Sequence, residues 1–337
     1  MISETSLHDE APLQKLLPSG WSCNRASPST WELRAPDGRF AQLRVEQKKR
    51  LPPGEVYWLR EKLRSQTGLP LLVADWLSPL TRRRLREVGI AYLDRSGNAE
   101  LSISEPGLFI RSSGAQKDPD PPSSHLGSFK GAGSGRALRA LVDHAPPYGI
   151  RALAQRSGSS APVLSRVANL LAQESLLQQD ERGHILQFSW EDLLRRWAED
   201  YRFGEGARSY LDPRGLPGLL RRLPGMQRPW AATGSLGVPP GAGVAPLSLA
   251  VLYVDDPEET AQELGLSPVD VGANVLLIPV GGSGALLRKQ AGEDGIQRCH
   301  PSQVAVDLLC GPGRGEAEGE ALIAWMARNI EKWRVLG

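Results

Sequence analysis

The sequence predicts a multidomain α/β protein, and three observations predict it. Residues 31–111 alternate apolar runs of strand length with amphipathic segments of helix length. Residues 151–173 read as two short helices hinged at a glycine, a helical module set apart from its surroundings. Residues 204–337 then return to alternating strands and helices. A chain of 337 residues accommodates such a division. The expected boundaries are an α/β domain over 1–111, a linker over 112–134, a helical domain over 135–203 and a second α/β domain over 204–337.

Composition narrows the function classes. There are 40 basic and 38 acidic residues, a net charge of +2, so affinity for nucleic acid has to come from a local patch. The basic residues do cluster: Lys48-Lys49-Arg50, Arg82-Arg83-Arg84 with Arg86, and Arg136, Arg139, Arg151, Arg156 and Arg166 around the helical module. Cys23, Cys299 and Cys310 are far apart, without metal spacing, which predicts no disulfide, no metal and a reducing, cytoplasmic setting. The polar, acidic start of the chain does not read as a signal peptide. No apolar run approaches the ~20 residues of a membrane span. No motif asks for a cofactor, and no internal repeat is visible.

Taken in order, residues 1–20 offer one short helix at most. Trp31–Lys48 reads as a hairpin whose turn is Ala35-Pro-Asp-Gly38, since proline presets one turn angle and glycine supplies positive φ. A helix is predicted from Gly54 to Ser65. Leu69–Asp75 is a short apolar run and so a buried strand. Ser78-Pro79 opens a helix by a hydroxyl cap and a first-turn proline, and Gly89 closes it. Ile90–Leu93 and Ala99–Ile103 are strands joined by Asp94-Arg-Ser-Gly-Asn98, and Leu108–Arg111 adds another. Residues 112–134, rich in Ser, Pro and Asp, lack periodicity and read as a linker.

The helical module follows from spacing. Arg151–Ser157 opens after Pro146-Pro147-Tyr148-Gly149, and small Ala154 lets a second helix cross closely. Gly158 supplies the positive φ of the turn. Ser159 or Ser160 caps the next helix, with Pro162 in its first turn. Leu164, Val167, Ala168 and Leu171 recur at helical spacing toward a core. Leu176–Phe188 then reads as two strands around an Asp180-Glu-Arg-Gly183 turn. Leu153, Ala154, Gly158, Leu164 and Val167 with this hairpin resemble a winged helix-turn-helix, which implies contact with double-stranded DNA. The residues expected to carry it are Ser160, Ser165, Arg166, Asn169 and Gln173 toward bases, with Ser159, Arg182 and His184 on phosphates. Arginine and asparagine have the donor and acceptor geometry for guanine and adenine edges. A solvated face, or a protein-docking module, is the plain alternative.

Beyond it, Glu191–Tyr201 is predicted helical with Leu193, Leu194 and Trp197 inward. Leu216–Leu223, Pro257–Leu264, Pro301–Leu309 and Glu316–Trp333 are predicted helices. Leu247–Val254 and Asn274–Val280 are predicted strands, and Trp230–Leu236 a strand or helix entry.

Two stretches carry possible catalytic chemistry. Asp37, followed by Glu46-Gln-Lys48, spells the carboxylate–Glu-x-Lys signature of restriction-type nucleases, in which two carboxylates hold Mg²⁺ and a lysine meets the attacked phosphate. The strand–helix–strand run through Leu71–Leu93 also resembles the Mrr-like restriction-endonuclease fold. At ~3.3 Å per residue, however, Asp37 at the hairpin tip stands roughly 25–30 Å from Glu46, which argues for an inactive site unless a different register, or Glu32 in place of Asp37, completes it. Thr233-Gly-Ser235 with Asp255-Asp256 resembles the minimal nucleotidyltransferase pattern. There the metal-binding aspartates alternate along a strand, whereas adjacent Asp255 and Asp256 point to opposite sides. Gly311-Pro-Gly-Arg-Gly315 lacks the Lys-Ser/Thr of a phosphate-binding loop and reads as a connection. Cys299-His300 lacks metal spacing, and His125, His144 and His184 stand alone.

The segments Leu71–Pro79, Ile90–Asn98, Arg196–Tyr201 and Pro301–Leu309 resemble bacterial helix-turn-helix proteins. Their organisation is loosely similar to antitoxins of the type IV abortive-infection systems, a winged helix joined to a nucleotidyltransferase-like domain. The resemblance implies an autoregulating transcriptional regulator with a toxin as possible protein partner, and half-site geometry would make it a homodimer, although no dimer helix stands out. Here the module is central and an extra nuclease-like domain precedes it. A metal-dependent nuclease or repair enzyme and a docking adaptor are the competing expectations.

Overall fold

The structure is a computed structural model that describes residues 11–64, 67–120, 129–242 and 246–336. The expectations for residues 1–10, for part of the linker (121–128, with His125) and for Ser65 lie outside the described residues. The chain divides into two compact units, residues 1–125 with 174–176, and residues 126–173 with 177–337. It is a mixed α/β protein throughout. No described helix is long and apolar enough to cross a membrane.

The first unit contains α1 (Ala11–Gln14), β1 (Ser22–Ser27), β2 (Thr30–Arg34), β3 (Phe40–Lys48), α2 (Val56–Arg64), β4 (Leu69–Ala74), α3 (Pro79–Glu87), β5 (Ala91–Asp94), β6 (Ala99–Ile103) and β7 (Leu108–Ser112). Its seven strands lie in sequence order. The outer pairs are antiparallel hairpins, while β3, β4 and β5 run parallel through α2 and α3. Period-two alternation on a strand buried from both sides explains the apolar run Leu71–Ala74. Leu72 and Ala74 meet Val56, Leu59, Leu63 and Leu85 of the helices, while Leu71 and Val73 join Trp31, Leu43 and Leu101 on the other face. The Ser78 hydroxyl accepts from the Thr81 amide, and Gly89 ends α3 at φ 71°.

The loop Asp94–Asn98 closes on its own polar groups. Asp94 is buried and accepts from the Leu77, Ser96 and Asn98 amides, the Ser96 hydroxyl and the Asn98 side chain. Asn98 in turn meets Arg82 and the Ala115 carbonyl. An Asx turn saturated in this way is a structural clasp.

The second unit opens with α4 (Ala132–Asp143), α5 (Ile150–Ser157), α6 (Ala161–Gln173), β8 (Leu177–Gln179), β9 (Ile185–Phe188) and α7 (Trp190–Asp200). Gly158 ends α5 in the left-handed region, φ 65° and ψ 14°. Tyr148 exchanges backbone hydrogen bonds with Ile185 and so adds an edge to the β8–β9 hairpin. Ser189 caps α7, whose Trp190, Leu193, Leu194 and Trp197 are buried. The sequence reading did not set out α4, because Gly131, Gly133 and Gly135 disguise its first turns as linker.

The same unit continues with β10 (Arg208–Leu211), α8 (Gly215–Arg222), β11 (Trp230–Thr233), α9 (Gly234–Gly237), β12 (Ala250–Val254), α10 (Pro257–Leu264), β13 (Ser267–Pro268), β14 (Val275–Pro279), β15 (Gln290–Ala291), β16 (Gln297–Arg298), α11 (Pro301–Leu309) and α12 (Gly315–Arg328). The sheet order is β13-β10-β14-β12-β11-β16-β15. β12 and β14 are parallel across α10. Helix α11 is buried from Pro301 to Leu308 and packs against α4, α7, α9 and α12, as a helix apolar on most sides must. The helix predicted to run to Trp333 ends at Arg328 and gives way to a 3₁₀ turn.

Candidate nucleic-acid interface

Helix α6 presents one polar stripe. Leu164, Val167, Ala168 and Leu171 are buried, which turns Pro162, Arg166, Asn169 and Gln173 outward at spacings of three and four residues. Ser160 is exposed at its start and passes its carbonyl to the Leu164 amide. Ser165 is half-buried at the margin of the stripe. The Arg166 guanidinium donates to the Ser134 hydroxyl of α4 at 2.8 Å, which fixes the direction of an otherwise mobile side chain. Ser159 is half-buried and donates to the Arg136 carbonyl at 3.5 Å, so its hydroxyl turns toward α4 and away from the solvent side where a phosphate was expected.

The electrostatics of this stretch are one-signed. From Ile150 to Gln173 there are three arginines, Arg151, Arg156 and Arg166, and no acidic residue. Arg151, Gln155 and Arg156 of α5 are exposed. On the hairpin, the Asp180 carboxylate accepts from the Arg182 and His184 amides and sits 2.9 Å from His184 Nδ1. Those bonds, the His184 ring first, hold the Asp180 carboxyl below its usual range. Arg182 and His184 are both exposed. Asp180 shapes the tip and orients His184, leaving Arg182 as the cation projected from it.

The first unit does not assemble the nuclease set. Asp37 accepts from the Arg39 amide and guanidinium in its own turn. Glu46 and Lys48 lie near the far end of β3, where Glu46 pairs with Lys62 of α2 at 2.6 Å and both lysines stand over Trp58. The lysine required by the signature thus faces an aromatic ring, and the carboxylate is neutralised locally. Among the described residues no group of three His, Cys, Asp or Glu side chains is placed to hold a metal ion.

The second pattern is separated in the same way. Trp230 pairs with Val254 and Thr233 with Val251, antiparallel, so Gly234-Ser235 and Asp255-Asp256 leave opposite ends of the strand pair. Five residues at ~3.3 Å place them roughly 16 Å apart. Asp256 caps α10 through the Glu258 and Glu259 amides, and Ser235 donates to Glu318. The glycines between α11 and α12 serve packing: a Cβ on Gly315 would stand 2.5 Å from the Leu308 carbonyl.

No family model, curated protein or solved structure matches this chain.

Two buried polar clusters escaped the sequence reading. Asp143 of α4 meets Ser302, His300, Arg288 and Arg139. Asp307 of α11 accepts from Thr233, Tyr201, Tyr253 and Gln303. Both join residues far apart in the chain, and periodicity within Pro301–Leu309 signals only a buried helix. The proximity of Cys299 to His300 has no metal meaning here, because the thiol is buried and its pKa is pushed far up by burial.

Proposed function

We propose that this chain is a sequence-specific double-stranded DNA-binding transcriptional regulator, with α5, α6 and the β8–β9 hairpin acting as a winged helix-turn-helix. One observation carries the reading: a 24-residue helix pair free of acid presents Arg166, Asn169 and Gln173 in line along its exposed face. Arginine and asparagine at that spacing suit base edges in a major groove, and Arg182 suits the flanking phosphates. The three cysteines are unbridged, as suits a cytoplasmic setting. Repression of its own promoter follows from the resemblance to abortive-infection antitoxins.

The test is selection of bound duplexes from a random library, followed by fluorescence anisotropy on the enriched site. An enriched motif bound far more tightly than random duplex supports the reading. Binding that never exceeds the random level, at low salt as well, overturns it.

A further inference from the structure

We propose that the cleft between α4, α7 and the carboxyl ends of β12 and β14 binds a nucleoside monophosphate, base inward and phosphate at the start of α4. The cleft measures about 540 Å³, within the range of small-molecule sites. It opens beyond the carboxyl ends of two parallel strands, where α/β sheets leave a crevice. Phe129, Trp197, Tyr253 and Ile278 give it apolar walls suited to a flat ring. Gly135 lets α4 pack closely on the Trp197 ring of the cleft wall, which a Cβ would meet at 3.2 Å.

Two independent features specify the polar ends. At the floor, Gln303 is 2% exposed. Its Nε2 donates to Asp307 at 2.9 Å and to the Tyr201 hydroxyl at 3.1 Å. A carboxylate cannot face an amide oxygen, so the amide orientation is fixed. Oε1 is left without a protein partner among the described residues, in a side chain that lines the cleft. That oxygen is open to the cleft rather than sealed in the protein, so a ligand N–H can reach it. At the mouth, α4 starts at Gly131, φ 85°, with no side-chain cap. The first amides of α4 have no intrahelical acceptor, as at any helix start, and helix amides of that kind favour an anion. Lys130 and Arg202 line the same cleft, and both are exposed. Of the lining acids, Asp200 is occupied by the Phe129 amide and Arg196, and Glu205 is exposed at the rim.

The test is calorimetric titration of the full chain with AMP, GMP and UMP, beside adenosine and inorganic phosphate. It needs no DNA, so its failure is distinct from failure of the regulator reading. At least one nucleotide is expected to bind more tightly than adenosine or phosphate. Gln303→Met should weaken it roughly tenfold, the value of one lost buried hydrogen bond. Lys130→Glu with Arg202→Glu should erase the preference for nucleotide over nucleoside. Ala132→Trp, at an exposed rim position, should block entry without touching the floor and covers the case in which Gln303→Met fails to fold. Absence of binding by all three nucleotides at millimolar concentration overturns the proposal. So does wild-type affinity in both Ala132→Trp and the double charge reversal.

Discussion

The Nδ1 of His300 lies 3.1 Å from the Asp143 carboxylate, and both side chains are buried. The pair ties α4 to the start of α11, and His300 Nε2 reaches the Trp333 carbonyl at 2.9 Å on its other side. Ser302 donates to the same carboxylate at 2.6 Å, and Arg288 approaches at 3.3 Å. One carboxylate therefore gathers three segments of the second unit: α4, the start of α11 and the stretch before β15.

Asp143→Ala is expected to destabilise the second unit by about 3–5 kcal/mol, the usual result of removing one partner of a buried ion pair. Burial alone pushes the Asp143 carboxyl up, but His300, Arg139 and the Ser302 hydrogen bond outweigh it and hold it well below the usual range. A depressed folded value means stability that is complete above the unfolded value, ~3.9, and lost as pH falls through the folded one. The variant should lose that steep acid limb. Urea melts from pH 2 to 7 measure both effects, and a change under about 1 kcal/mol would remove Asp143 from this role.

Asp307 has the opposite sign. Burial pushes its carboxyl up to about 6, although Thr233, Tyr201, Gln303 and Tyr253 all donate to it. A raised folded value gives stability that is complete below ~3.9 and lost as pH rises through about 6. Relative to the parent chain, Asp307→Asn should therefore fare better at pH 7.5 than at pH 4.5. Parallel stability curves for the two proteins across that window would refute the assignment.

In the first unit, Asp94→Ala should cost about 3 kcal/mol or more, because it leaves buried amides without an acceptor. Ser96→Ala removes one donor to Asp94 and one acceptor for the Asn98 amide, which keeps its bonds to Asp94 and Ala115, and should cost about 1 kcal/mol. Equal effects of the two substitutions in chemical denaturation would show that the loop does not depend on the carboxylate.

Local signals were legible and distant ones were not. Ser78-Pro79, Gly89, Gly158 and the Asp180–Gly183 turn act within a few residues, so each boundary follows from backbone chemistry. The strands β1, β10, β13, β15 and β16 were missed: β1 is mostly polar, β10, β13 and β16 pair with segments remote in sequence, and β15 is a two-residue strand paired with nearby β16. The same holds for the candidate site. The outward stripe of α6 follows from its apolar period, but the turn of Ser159 toward Arg136 and the anchoring of Arg166 by Ser134 depend on α4. Glu46-x-Lys48 misleads for a related reason, since Lys62 and Trp58 of α2 occupy both of its ends.

If α6 reads bases while the hairpin holds the backbone, substitutions on the two should fail differently. Arg182 is exposed at the hairpin tip, the position assigned to phosphate contact, so Arg182→Ala should weaken binding to every duplex alike. It should also lower the slope of log affinity against log salt by about 1, the signature of one phosphate contact. Asn169 lies mid-stripe, and Asn169→Ala should cost about 1–3 kcal/mol on the preferred site while leaving random duplex and the salt slope unchanged. Anisotropy titrations of both variants across a salt series separate these patterns. If both residues changed the slope and neither changed the preference, α6 would be a non-specific contact and the sequence-reading role would lie elsewhere.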